Sequence, residues 1–525
     1  MLFCNASRIF LALSFSLMLF EPVHADTYAT GIDYEHQNCK GDSYPYGYYG
    51  PEKFPDYPVK IVQKGQAMGA YTGASNCMEF KYRACPAGTK LDYLNRYGTP
   101  YCIKEDCWGD SCVENPDRNL GKPDYCTSSA SINPSNGNVF KRVTDFSSPE
   151  LKEFNFEWTY NSKSPQGAGA YVTKQTMGSH RLHSFDRSAW VNRAIGQAVV
   201  LRPDGKTLIF KKTGVDGWQP PKGVTSTLRP ASDITGDDDG YEYIDQNGNR
   251  EYYYFNGSLA KIVRRDGTSI NMIYRRSNHV YLERAEKSTG EFLEFEYEAR
   301  SGSSSRLRSV TTSSGQVFTY SYDGNDNLSS VSTSPAEASE TFTVQYLYEN
   351  EKLPHAITGV KDENGNTIRT WSYDEQGRAI GTENADGTGQ TTVQYNQESS
   401  TTVTNALGLP TIYSFEEFDG KLLPSKIVGE STSTCPSSSF SSSYNDSGFL
   451  VSSVDREGNV TEYERDSRGR ETSRKEGVGS NIERITKTEW NDQFNKPARI
   501  LKKDAIVQFE YDKNGNIVKR SEMAR

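Results

Sequence analysis

One phrase recurs along this chain: an aromatic residue, Asp or Asn, two spacers, Gly, and then a short run of alternating apolar residues. It reads Tyr373-Asp374-Glu375-Gln376-Gly377 and Tyr444-Asn445-Asp446-Ser447-Gly448. It returns without its aromatic as Arg465-Asp466-Ser467-Arg468-Gly469, and again as Tyr511-Asp512-Lys513-Asn514-Gly515. Self-similarity at a steady period means that the fold stacks one small unit. The unit here is a β-hairpin, so the chain is expected to build a long sheet.

The aromatic ends a strand, and the short Asp or Asn side chain opens a type I turn by accepting from amides ahead of it. Gly three residues later takes the left-handed conformation that closes the hairpin with a bulge. Phe449-Leu450-Val451-Ser452-Ser453-Val454 then alternates as a half-buried strand does, and Asp455–Asn459 turns the chain back into Val460–Tyr463. From Tyr373 to Tyr395, as from Tyr444 to Asp466, is about 22 residues, which two strands of about seven residues and two turns fill. In Tyr322-Asp323-Gly324-Asn325-Asp326 an Asp stands where the motif's Gly is expected, and Asp tolerates a left-handed backbone. The apolar slot after Gly is Leu450 or Ile517 in good copies but Ala379 and Glu471 in others, so some sheet faces are expected to be solvated.

The pattern resembles the RHS/YD-repeat family, and the residues before the repeats extend the likeness. Ile132-Asn133-Pro134-Ser135-Asn136-Gly137-Asn138 is similar to that family's INPATGN segment, and Phe154–Ser162 to its LxFxRxYNS strand. Gly178–Asp186 is similar to its GxGWRHSYD segment, with His180 where Trp is usual. Leu201–Lys206 and Leu259–Gly267 resemble its lead-in hairpins. The resemblance covers about residues 127–525. It implies hairpins laid side by side into a curved strip, which in the family spirals into a hollow shell that can enclose a toxic C-terminal domain. The family's core-associated Asp-Pro-x-Gly-Leu motif does not occur here, and Ser521–Arg525 follows the last repeat directly. Shell closure, autoproteolysis and toxin release are therefore not expected to transfer. The expectation is a scaffold, a binding module, or a truncated remnant of a longer delivery protein.

Hydrophobic residues make up 35% of the 525, and 33 Tyr against 7 Met favour sheet over helix bundles. The net charge of −9 is spread without the basic stripe that nucleic acid requires, so nucleic acid is excluded as a partner. Arg8, the apolar run Ile9–Phe20 and Val23-His24-Ala25 before Asp26 make a secretory signal cleaved between Ala25 and Asp26. Twelve apolar residues fall short of the roughly 20 that span a bilayer, and no later stretch reaches that length. The mature chain is thus expected in the medium or in the periplasm or cell envelope, with no stable membrane span.

Seven cysteines crowd one stretch: Cys39, Cys77, Cys85, Cys102, Cys107, Cys112 and Cys126. In an exported chain this reads as a disulfide framework stapling a small Tyr- and Gly-rich head. Zinc is disfavoured because no Cys-x-x-Cys pair occurs. Seven is odd, and Cys435 in the Ser-rich stretch 431–443 is the arithmetical partner of the one left over.

His180 and His183 are three apart, which on a strand puts them on opposite faces, and a packing role is expected rather than a metal site. Asp233–Gly240 is acidic, but a calcium loop starting at Thr235 would meet Gln246 where Glu is required. No catalytic motif appears, and the repeats explain most Asp residues as turn formers. No catalytic residue, cofactor or metal is assigned.

The fold expected is all-β: an antiparallel hairpin-repeat sheet, a YD-repeat strip or partial shell, preceded by a small disulfide-rich domain. Residues 1–25 are the signal, 26–126 the head, 127–300 a lead-in β domain, and 301–525 the strip. The repeat signature is Tyr322, Asp323, Tyr373, Asp374, Gly377, Tyr444, Asn445, Gly448, Asp466, Gly469, Tyr511, Asp512 and Gly515. The function expected is an exported, non-enzymatic scaffold. The rival is an adhesin for carbohydrate or cell surfaces, whose exposed Tyr would stack on sugars. The fixed place of the repeat Tyr before each turn favours packing between hairpins instead. The partners expected are surface glycans, or a protein segment that pairs with the C-terminal sheet edge beyond Val507–Glu510.

Overall fold

In a computed structural model the chain divides into two compact units, Met1–Asn115 and Pro116–Arg525. In the first, the structure describes only the strand backbones Tyr28–Ala29, Ile32–Asn38, Val59–Lys60, Asn76–Arg83, Thr89–Asp92 and Tyr101–Lys104. In the second it describes residues 116–525 except 124, 126, 128–130, 149–153, 165–175, 193–195, 214–216, 233–239, 276–280, 300–304, 338–339, 397–398, 430–439 and 514. The signal with Ala25 and Asp26, and Cys39, Cys85, Cys107, Cys112, Cys126 and Cys435, lie outside the described residues. So do the side chains of Cys77 and Cys102 and the acidic loop 233–239.

The first unit carries two three-stranded antiparallel sheets, one centred on Asn76–Arg83 and the other on Tyr101–Lys104. The second opens with a three-stranded sheet of Phe140–Ser147, Asn155–Asn161 and Arg181–His183. A four-stranded sheet running from Ser188–Asn192 to Gly217–Gln219 follows. Then comes one antiparallel sheet of 26 strands, from Thr227–Ala231 to Ile517–Ala524, in which every neighbour in space is the neighbour in sequence. The sheet passes the expected 300/301 division without a break, since Ala299 pairs with Ser305 across the hairpin. Among the described residues no helix is long and apolar enough to cross a membrane.

Each turn is built as its sequence requires. The carboxylate of Asp374 accepts from the amides of Gln376 and Arg378, and Gly377 (φ 69°) donates its N–H to the Asp374 carbonyl at 3.0 Å. Asp326 takes φ 64° where the other copies place Gly. A register shift lies beside several of these turns, as at Ser372/Tyr373 and Ser443/Tyr444.

The lead-in segment fills one face of the sheet. Phe156, Trp158 and Tyr160 alternate along one strand, all fully buried, and meet successive strands of the meander. Phe156 lies 5.8 Å from Phe295 and 6.1 Å from Tyr320, and Trp158 meets Tyr346 edge-on at 5.4 Å. This cover corrects the expectation drawn from Ala379. That residue is not at a solvated face but fully buried, because the backbone of Gly137 approaches it closely enough for its N–H to reach the Gly137 carbonyl at 2.9 Å. Conversely Ile517, an apolar copy of the same slot, is 43% exposed. Burial follows what lies over the strip, not the residue in the slot.

Turns alternate between two edges of the strip. The first rim bears the turns at Asp323–Asn327, Asp374–Arg378, Asn445–Phe449, Asp466–Arg470 and Asp512–Asn516. The second rim bears those at Asp245–Asn249, Arg264–Thr268, Asp362–Asn366 and Asp455–Asn459. The strip closes on itself rim to rim. A Cβ at Gly248 would lie 2.8 Å from Lys496 Cε, Arg250 sits over the Phe494 ring at 5.5 Å, and Gly267 faces the side chain of Asn516. These second-rim turns meet first-rim turns about 250 residues later in a regular offset.

Candidate functional site

Two constructions hold this architecture: a ladder of side-chain bonds along the first rim, and a buried polar seam where the lead-in segment meets the sheet. On the rim, each aromatic before a turn reaches back to a backbone carbonyl just beyond the preceding turn of that rim. Tyr322 donates its hydroxyl to Leu307 O at 2.7 Å, Tyr348 to Leu328 O at 3.0 Å, and Tyr373 to Ile357 O at 2.8 Å. Tyr395 bonds Ala379 O, Tyr444 bonds Pro424 O, and Tyr511 bonds Pro497 O. Where the repeat lacks Tyr, another donor takes the rung: Arg465 Nε reaches Leu450 O at 2.8 Å, and Trp490 Nε1 reaches Glu471 O at 2.9 Å. A Tyr at this place supplies both a packed ring and a hydroxyl donor, and Arg465 explains how the degenerate copy retains the rung.

The carboxylates of the turns are consumed locally. In the Asp-x-Asn-Gly-Asn copies, which superficially look like calcium loops, Asp245 and Asp512 each accept the side-chain amide of the final Asn as well as its backbone N–H. Among the described residues no three His, Cys, Asp or Glu side chains gather as a metal site would.

The seam holds the ionisable groups that sequence reasoning missed, because nothing in their spacing marks them. Asp145 accepts from Trp158 Nε1 at 3.0 Å and Tyr320 O–H at 2.8 Å, with no cation bonded to it among the described residues, and burial raises its carboxyl to about 7. Glu251 is the opposite case. Burial works to raise it, but Arg202, bonding both carboxylate oxygens at 2.6 and 2.8 Å, and Arg187 hold it well below the usual range. That cluster ties the 187 and 202 turns to the third strand of the strip, Arg250–Tyr253. Arg181 is wholly buried with its guanidinium among the rings of Trp158, Tyr160, Tyr346 and Tyr348, 5.0 to 5.7 Å from each, and it bonds the Tyr348 hydroxyl.

His183 lies on the strand Arg181–His183, whereas His180 precedes it in a turn with φ 63°, so the strand argument from their spacing does not apply to the pair. His183 donates from Nε2 to Asp186 at 3.1 Å, while its Nδ1 accepts the Phe185 amide at 3.2 Å. The pairing has the look of a catalytic dyad, but the nitrogen that would serve a nucleophile is already bonded to backbone. Burial holds His183 down at about 3 and raises Asp186 to about 8, which describes a neutral pair in a core.

The RHS-repeat family profile matches residues 303–337 and 444–480, the stretches that contain the Tyr322 and Tyr444 rungs and their turns. Over these two stretches the chain carries RHS repeats. A second profile, a domain of unknown function designated DUF6531, matches residues 129–210, which are the lead-in segment. No curated protein matches the chain. Solved structures similar to this RHS-repeat chain include TcdB2-TccC3 without its hypervariable C-terminal region, at 11% identity and a TM-score of 0.33 over 85% of this chain and 25% of that one. TcdB2-TccC3-TEV matches at 13% identity and a TM-score of 0.32, over 86% of this chain and 24% of that one. The chain thus spans about a quarter of the length of those solved chains.

Proposed function

We propose that this RHS-repeat β scaffold is an exported, non-enzymatic wall protein, whose strip encloses the lead-in segment rather than turning over a substrate. The observation that carries the reading is the rim-to-rim closure of Gly248 on Lys496 and Gly267 on Asn516, which makes a strip into a curved wall. The polar groups of the seam and the rim are spent on holding that wall. The test is limited proteolysis of the secreted protein, with N-terminal sequencing. Export predicts a mature terminus at Asp26, and a wall predicts that residues 116–525 resist as one block. Retention of Met1 would overturn export. Stable separate fragments from either side of residue 300 would overturn the wall.

A binding role on surface glycans is the second reading. The repeat Tyr hydroxyls are bonded to backbone, so a sugar-stacking surface would have to draw on other aromatics, those of the Tyr-rich head among them. Glycan-array binding that Tyr→Ala changes in the head abolish would favour it. Pairing of a partner segment with the last strand, whose other side pairs Val507 with Glu522, is tested by sizing the protein with and without residues 505–525.

A further inference from the structure

We propose that His180 and His355 form an acid-responsive latch that holds the lead-in segment to the first rim of the repeat strip. His180 sits at the crossing. It has a left-handed backbone (φ 63°), and its neighbour Ser179 donates its N–H to the carbonyl of the rim residue Asp326 at 2.7 Å. Its own carbonyl accepts the Asn161 amide at 3.1 Å. Its ring lies 5.3 Å from that of His355 and 6.3 Å from that of Tyr160. Neither ring nitrogen of His180 has a hydrogen-bond partner, and both are shielded from water. A shielded imidazole with no acceptor is tolerable only while neutral.

The surroundings make protonation costly. On its own segment His180 adjoins Arg181, whose charge is met by aromatic rings and not by a carboxylate. Lys141, from the first lead-in strand, adds another positive charge near Arg181. From the rim, Tyr322 and Tyr348 face the crossing with hydroxyls bonded to carbonyls. Asp326 is engaged by Arg306 at 3.5 Å, and Asp323 holds the turn amides and Asn327. His355 spends Nδ1 on Asn327 Oδ1 at 2.7 Å. Burial, then His355 and Arg181, hold His180 down at about 3, and burial also lowers His355 against the pull of Asp323 and Asp326.

The sign follows. A histidine whose folded value is depressed contributes stability that is full above its ordinary value near 6.5 and is lost as pH falls toward 3. Because the proton is accepted only where water reaches the ring, the contact that opens is the crossing itself.

Amide hydrogen exchange of the full chain, corrected for intrinsic rates, tests this at pH 7.5 and pH 5. Protection across 176–183 should fall about tenfold or more at the lower pH while the sheet strand Phe292–Ala299 keeps its protection. His180→Asn tolerates the backbone and does not titrate, so it should abolish the difference. Three results would each overturn the latch: no fall in the wild type, an equal fall in both segments, or an undiminished fall in His180→Asn. His183 lies in the same segment and is also held low, so His183→Asn serves as the control and should leave the fall in place; if His180→Asn does not fold, His180→Gln takes its part.

Discussion

Along the first rim, the turn glycines Gly377, Gly448, Gly469 and Gly515 are each roofed by a side chain of the turn before. A Cβ at Gly377 would meet Leu353 at 3.3 Å, at Gly448 it would meet Phe418 at 3.3 Å, and at Gly515 it would meet Phe494 at 2.7 Å. At Gly469 it would fall inside the Phe449 ring. On the second rim, Gly365, Gly408 and Gly458 have the same positive φ and nothing within 4 Å. The same turn is therefore packed by its rim neighbour at these first-rim sites and free-standing at these second-rim sites, away from where Gly248 and Gly267 meet Lys496 and Asn516. Turns that touch on one edge and spread on the other make a strip fan, and a fanned strip can bring distant rims together as Gly248 and Lys496 show. What differs is the neighbour, not the turn chemistry.

The largest contrast should come from the glycines. Gly469→Val combines a disfavoured left-handed backbone with a clash on Phe449 and should cost about 3 kcal/mol or more, whereas Gly458→Val should cost about 1–2 kcal/mol from the backbone alone. Chemical denaturation of the two variants reads the difference. Equal losses would mean that the rims are equivalent.

Next in size is the pH dependence of the seam beneath the packed rim. Asp145 is ordinarily ionised above 3.8 but is raised to about 7 in the fold. Between those values the folded chain holds a proton that the unfolded chain releases. Its contribution is thus highest below about pH 4, declines as pH rises to 7, and is level above. The slope is on the order of 1 kcal/mol per pH unit. Asp145→Asn should flatten that part of the stability profile, and an unchanged slope would place the titration elsewhere.

The smallest effect belongs to single rungs. Tyr373→Phe keeps the ring and leaves the Ile357 carbonyl without its donor, at a cost of about 0.5–1.5 kcal/mol. Arg465→Tyr should cost under about 1 kcal/mol, because it keeps a donor to Leu450 O and loses only the bond from Nη1 to Gly469 O. If Tyr373→Phe is silent while Tyr373→Ala is not, ring packing alone makes the ladder.

The hairpin was legible because its determinants are local. Asp374 and Gly377 are three residues apart, and the bonds they make close within the turn. The tolerance of Asp326 for a left-handed backbone could be read in the same way. The meaning of Ala379 could not, since its small size answers to Gly137, far away in sequence. Nor could Asp145, Arg181 or Glu251, whose partners come from different elements. Arg465 looked like decay of the motif and is instead a substitute donor, which only the carbonyl it reaches reveals.

The sequence by itself determined an all-β chain of repeated Asx-Gly hairpins, because turn type and strand alternation depend on contacts a few residues long. Only the tertiary structure decided which face is covered, which rim is packed, and where the strip meets itself. Those outcomes depend on twist and fanning summed over many hairpins and on the lead-in residues lying across them, and no single repeat encodes either.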